Sequence, residues 1–156
     1  MRPTPRTSLL HLIYFSRLNL SADPSARSQQ MDDLARQCQK KNEFHVITSF
    51  LFVDQNFAVQ VIEGERNALI ETFNRINVDP RHRDVKIVEW REIAKRDFGQ
   101  SFALSVRGPV NDALYAKANL LPTFQRGTPK AAGILSLAQQ LQAESLSRQG
   151  GDPMLV

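Results

Sequence analysis

A single cysteine, Cys38, occurs in the whole chain. No internal disulfide can therefore close, and no cysteine-based zinc site can be built. That scarcity fits a reducing compartment, and the cytoplasm is the expected location. The three histidines, His11, His45 and His82, lack metal-ligand spacing, so no metal is expected. No apolar run approaches the roughly 18–20 residues of a membrane span. Residues 1–7 hold two prolines and two arginines, and the apolar run after them is too short for a signal peptide; they read as a solvated, disordered tail. Lys and Arg number 20 against 16 Asp and Glu, a net charge of +4, but the excess is scattered. Without a basic stripe interleaved with aromatics, nucleic acid is not an expected partner. The chain has no internal repeat, no low-complexity tract and no glycine-rich phosphate loop after its first apolar stretch.

What is present is the composition of an ordinary soluble globular protein, 42% hydrophobic and 23% charged. A length of 156 residues suggests one domain with an appended element. Residues 8–15 read as a strand with Leu10, Leu12 and Tyr14 on one face and Leu9, His11, Ile13 and Phe15 on the other. Apolar side chains on both faces imply a central strand covered on both sides, with His11 as a core or edge histidine. Residues 16–27 form a polar connection. Residues 28–41 read as a helix, with Met31, Leu34, Ala35 and Cys38 at helical spacing, Ser28 as candidate N-cap and Lys40-Lys41-Asn42 closing it. Residues 44–53, rich in β-branched and aromatic side chains, read as a second strand. A turn at Asp54-Gln55-Asn56 leads into a third, over residues 57–65. A helix follows to about residue 77, its stripe Ala68, Leu69, Phe73 and Ile76. Residues 79–83 are a loop. Residues 85–93 make a fourth strand with Val85, Ile87, Glu89, Arg91 and Ile93 on one face, and residues 101–106 a fifth. Beyond Gly108-Pro109 come a short helix over 110–118, a loop over 120–130 holding two prolines, and a helix over 131–148 whose stripe is Ile134, Leu135, Leu137, Ala138 and Leu141. A frayed tail ends the chain.

The order β-α-β-β-α-β-β is that of an α+β, ferredoxin-like fold. An antiparallel sheet would carry two helices on one face. The C-terminal helices, above all 131–148, or a second subunit, would lie on or near the other.

Within that frame Gln60 is an amide in the middle of an apolar strand. Left unpaired in a core it would cost about 1–3 kcal/mol, so it needs a partner in the protein or in a ligand. The first and third strands are central neighbours in a ferredoxin-like sheet, and Tyr14 sits mid-strand beside it. A phenol and an amide there can hydrogen-bond, and both face the space between the two helices. Asn42, at the end of the first helix, stands at the mouth of that space. Arg75, Arg81 and His82 form a cationic cluster that can hold a phosphate; a solvated loop is the plainer alternative.

Taken together, these residues carry a resemblance. Leu12-Ile-Tyr-Phe-Ser-Arg17, Asn42 with Val46-Ile-Thr-Ser-Phe-Leu-Phe52, Phe57-Ala-Val-Gln-Val-Ile-Glu-Gly-Glu65, Asp79-Pro-Arg-His82 and Ile93-Ala-Lys-Arg-Asp-Phe98 resemble, in order and spacing, a BLUF domain, the blue-light sensor using FAD. The resemblance implies non-covalent FAD, with FMN or riboflavin as alternatives. It implies that Tyr14 and Gln60 are the photoactive pair: light moves an electron and a proton from the tyrosine to the flavin, and the glutamine rotates or tautomerises. Asn42 would hold the pyrimidine edge of the flavin, Lys41 and Ile62 would flank the ring, and Arg75, Arg81 and His82 would lie near the ribityl and phosphate groups. Two positions depart from the family pattern. Ser101-Phe-Ala103 stands where Trp-Ser-Met is usual, so the relay positions Ser101 and Ala103 lack the tryptophan and the methionine. Ser49 replaces a glycine and is expected to crowd the site slightly.

The expected organisation is therefore a tail over 1–7, a flavin-binding domain over 8–107 and a helical extension over 108–156. The roughly fifty residues after Val106 are too few for a fused cyclase or phosphodiesterase, so no enzyme activity is expected. The output would be a change in self-association, as a homo-oligomer, or in binding to an unknown downstream protein. The alternative is a ferredoxin-fold interaction module of the same descent without light signalling, motivated by Ser101 and Ala103. An acylphosphatase-like enzyme is disfavoured because the phosphate loop is missing.

Overall fold

The structure, a computed structural model, describes residues 8–149. The tail expected at 1–7 and the last seven residues lie outside the described residues. Five strands form one sheet: β1 (Leu9–Leu18), β2 (Thr48–Asp54), β3 (Phe57–Glu65), β4 (His82–Glu92) and β5 (Ala103–Val106). Their order is β4-β1-β3-β2-β5. The first four are antiparallel neighbours in the ferredoxin-like arrangement, and β5 adds to β2 in parallel. The sheet is thus mixed, where an antiparallel one was expected.

Helices α1 (Pro24–His45) and α2 (Arg66–Asn77) cover one face. Met31 and Ala35 of α1 pack on Leu51, Val53, Ala58, Phe102 and Leu104, and Leu69 of α2 packs on Leu10, Leu12 and Ile62. The other face carries Ile13, Phe15, Phe50, Phe52, Val59 and Val61 beneath α3 (Asp112–Ala118), α4 (Leu121–Arg126) and α5 (Ala131–Gln149). The C-terminal helices therefore supply the expected second layer. They are tied to β5 by buried polar groups. The Tyr115 hydroxyl and Ser105 Oγ lie 2.7 Å apart, and Asn111 Nδ2 donates to Ser105 Oγ and to the Val106 carbonyl. Arg107 bridges Asp54 and Asp112.

Several boundaries differ from the sequence reading. The first helix begins four residues earlier than expected: Asp23 is its N-cap, accepting from the Ala26 amide at 2.9 Å, and Pro24 occupies the first turn. That is the position where a missing N–H costs nothing. The same helix runs past Asn42 to His45 and ends at Val46, in left-handed geometry. Phe44 therefore lies on a helix, 83% exposed, and does not open β2. Residues 121–126, expected as loop, form α4, with Pro122 in its first turn and Gly127 (φ 73°) as its left-handed C-cap. The alternation expected along β4 is broken. Register shifts place Ile87 opposite Tyr14 but Glu89 opposite Ile13, so Glu89 turns to the opposite face, where its carboxylate meets the buried His11 at 2.5 Å.

Candidate functional site between the two helices

Because strand side chains alternate, the pairing registers define rows across the sheet. One row runs Ile87, Tyr14, Gln60, Leu51, Leu104 through all five strands. It faces α1 and α2. The Tyr14 hydroxyl donates to Gln60 Oε1 at 2.6 Å, and both residues are 4% exposed. Burial pushes the phenol well above its ordinary pKa, with smaller like-charge contributions from Cys38 and Asp79. Tyr14 is therefore a donor at any physiological pH. This fixes the polarity of the pair: Gln60 receives with its carbonyl oxygen and keeps its two amide N–H bonds, which meet no acceptor among the described residues.

The space beside the pair has two communicating parts. One is lined by Tyr14, Leu34, Cys38, Gln60, Arg81 and His82 among others. The second adds Lys41, Asn42, Thr72 and Arg75. Cys38, Gln60, Ile76, Asp79 and Arg81 border both, so they form one slot between α1 and α2. Burial pushes the Cys38 thiol up to about 11, against weaker lowering by Arg81, which keeps it an unreactive thiol facing the slot.

Asn42 is buried within α1. Its Nδ2 donates to Ser49 Oγ at 3.0 Å and to the Ser101 carbonyl at 2.7 Å, leaving Oδ1 to accept from a ligand. Ser49 also donates to the Ser101 carbonyl at 3.1 Å. It does not line the slot, so the expected crowding gives way to an anchoring bond for Asn42. Lys41 lines the slot from an exposed position. Ile62 is fully buried beneath α2 and borders neither part.

The expected cationic cluster is only partly assembled. Asp79 holds Arg81 through Nε and Nη2, and Arg81 Nη1 reaches Gln37 on α1 at 3.1 Å, closing the slot's rim. Burial raises the Asp79 pKa, but the Arg81 hydrogen bonds outweigh this and hold it below the usual range. His82 is committed at both nitrogens, Nε2 to the Ile76 carbonyl at 2.6 Å and Nδ1 to Ser16 Oγ at 2.7 Å. Arg75 is the member left on the slot wall without such a partner among the described residues.

The two relay positions are not brought to the pair. Ala103 stands opposite Phe50 and packs on the far face beneath the C-terminal helices, and Ser101 takes part through its backbone carbonyl. Leu104 of β5 and Phe102 just before it pack on the α1 side of the sheet. A link between the Gln60 strand and the β4–β5 loop that the sequence did not suggest is Glu63. Its buried carboxylate accepts from the Asp97 amide at 2.6 Å, the Phe98 amide at 3.0 Å and the Thr48 hydroxyl at 2.9 Å. Burial raises its pKa more than these bonds lower it. Arg96 completes the clamp on the β4–β5 loop through Thr48 Oγ1 and the carbonyls of Glu63 and Val46.

The spare groups of the slot are an amide donor on Gln60, an amide acceptor on Asn42, a buried hydroxyl on Thr72 and a cation on Arg75. They suit a planar ring whose edge alternates acceptors and donors, with an anionic substituent. Fold and slot together define a ligand-binding α+β domain of the ferredoxin-like class. The family described as sensors of blue-light using FAD (BLUF) matches residues 9–102, more than half of the sequence, and the chain belongs to it. BLUF domains bind flavin, sense blue light and are sensory rather than catalytic in themselves.

The dark-state structure of BlrB, a BLUF protein, is 26% identical, with a TM-score of 0.70 over 86% of this chain and 98% of that one. BlrP1 of Klebsiella pneumoniae, with FMN and cyclic diGMP, is 28% identical, with a TM-score of 0.57 over 72% of this chain and 34% of that one. Photoactivated adenylate cyclase subunit beta of Euglena gracilis is 28% identical over 102 residues, which are 65% of this chain and 11% of that protein. The chain thus spans about a ninth of that curated relative. No described helix is long and apolar enough to cross a membrane, and no group of three or more metal-ligating side chains occurs among the described residues.

Proposed function

We propose that the chain is a blue-light photoreceptor whose active pair is Tyr14 and Gln60. The observation that carries this is the bond from the Tyr14 hydroxyl to Gln60 Oε1 at 2.6 Å, with the glutamine N–H bonds left for a ligand in the slot. A bound flavin would supply the absorption of blue light and an oxidising excited state. Tyr14 is the nearest buried phenol. Its proton lies on a short path to Gln60 Oε1, so if Tyr14 gave an electron to that excited state, its proton would pass onto the amide oxygen. Gln60 would then turn over, or take its imidic form by passing an N–H proton on toward the slot, and return of the electron and a proton to Tyr14 would leave the other end of the amide facing it. No bond to the ligand is made. Asn42 would orient the pyrimidine edge with Oδ1, Lys41 would cover one side of the ring, and Ile62 would support the floor from below. Arg75 would meet the anionic substituent, while Arg81 and His82 close the rim. FAD is the cofactor; FMN or riboflavin would satisfy the same ring contacts.

Residues 8–107 form the sensory unit and 108–156 the output extension in this reading. The change at Gln60 passes along its row through Leu51 to Leu104, and along β3 through the Glu63 clamp to the β4–β5 loop. Both routes reach β5, which carries the Ser105, Tyr115 and Asn111 network, and the result is altered self-association or partner binding. Ala103 and Ser101, which motivated a module without signalling, do not occupy the row facing the pair, and that motive falls away. Hydrogen exchange in darkness and under saturating blue light tests the output: protection is expected to change in residues 93–106 and in α3 to α5. Identical exchange in the two conditions, with flavin bound and photoactive, removes the proposed route.

A further inference from the structure

Three buried polar atoms lack a hydrogen-bond partner among the described residues: His11 Nδ1, Asp54 Oδ2 and Thr72 Oγ1. Only Thr72 lines the slot, where it sits with Asn42, Gln60 and Arg75. It is 2% exposed and lies on the inward stripe of α2 between Leu69 and Ile76, at helical spacing. A helical threonine usually returns its hydroxyl to a carbonyl one turn back, and this one does not. The orphaned hydroxyl is disfavoured in a dry core, and threonine is no better a helix former than valine. Nothing in folding alone explains an oxygen at this position. The neighbouring groups define what is missing: Asn42 can only accept, because both N–H bonds of its Nδ2 are used, and Gln60 has both its N–H bonds to offer, with Oε1 held by Tyr14. The slot has no other neutral hydroxyl free to donate, since that of Tyr14 is committed.

Resting on the flavin reading above, we infer that Thr72 is a further cofactor-binding residue. Its hydroxyl donates to a carbonyl of the flavin pyrimidine edge, beside the N–H that Asn42 accepts. Sequence reasoning passed over it because a threonine inside an apolar helical stripe looks like packing.

The test is FAD titration into apoprotein of the wild type, Thr72→Val and Thr72→Ser, with infrared spectra of the bound flavin carbonyls. Valine keeps the shape and removes the oxygen. It should weaken FAD binding about 5- to 10-fold, the loss of one buried hydrogen bond, and move a flavin carbonyl band to higher frequency. Apoprotein Thr72→Val should melt no lower than the wild type, because the hydroxyl has no protein partner to lose. Serine should restore affinity to within about twofold. If the wild type binds FAD and Thr72→Val matches it in affinity and carbonyl bands, the assignment is overturned while the flavin site stands. A wild type that takes up no FAD overturns the site itself.

Discussion

Tyr14→Phe is expected to abolish the light-induced red shift of the flavin absorption while leaving flavin bound. The substitution removes one oxygen and keeps a ring that packs against Phe73 at 5.9 Å and edge-on to His82 at 6.0 Å. The walls of the slot are otherwise unchanged and the lost hydrogen bond is to Gln60, not to the ligand, so binding should fall by less than the roughly 5- to 10-fold of a lost ligand hydrogen bond. What disappears is the only hydroxyl bonded to Gln60 among the described residues. Without it neither an electron donor of low enough potential nor a transferable proton lies next to the amide. The orphaned Gln60 oxygen should cost about 1–3 kcal/mol of stability. Flavin content and a flash difference spectrum of the purified variant check both halves. A normal photocycle in Tyr14→Phe would show that the pair has been assigned wrongly.

Phe124→Ala should cost about 3–5 kcal/mol in chemical unfolding, the range for removing a buried aromatic side chain. Phe124 is 2% exposed, and its ring meets those of Phe15 and Phe57 at 5.6 and 5.7 Å and Phe52 at 6.5 Å. It is the contact through which a six-residue helix seals strands β1, β2 and β3. With domains of this size marginally stable, the loss should also expose the sheet face and free α3 to α5 from the core. Urea unfolding followed by two probes, one in the slot and one in α5, measures it. A cost under about 1 kcal/mol, within the range of an ordinary surface change, would mean that the C-terminal helices do not share the cooperative unit, and that β5 cannot drive them.

Much of this architecture is legible in the residues, and its failures have physical causes. Tyr14 and Gln60 stand out because period-two alternation puts each on a defined face, and an amide in such a strand demands a partner. Asn42 is legible as bordering the space between the helices but is misplaced at a helix end, because Phe44 and Val46 have strand-like side chains. The buried amide and its bonds to Ser49 and Ser101 hold the helix on past that point. Asp23-Pro24 reads as part of a polar connection, yet the same pair is an N-cap followed by a first-turn proline. β5 shows how sharp the limit is. A slip of one residue exchanges the two faces of a strand, so Leu104, with Phe102 before it, packs on the α1 side and Ala103 on the other, and only pairing with β2 decides between them. Thr72, Glu63 and Arg96 carry no pattern in one dimension; their importance is set by which buried groups they satisfy or fail to satisfy.

The account rests on a reversible rearrangement of hydrogen bonds around Gln60, and an absorption spectrum taken before and after a blue flash measures it most directly. The purified, flavin-loaded chain should show its visible flavin bands displaced to longer wavelength by a modest amount, with the band shape kept, and should return fully in darkness. Bleaching of those bands as a covalent adduct forms, or flavin bands unmoved by saturating light, would contradict it.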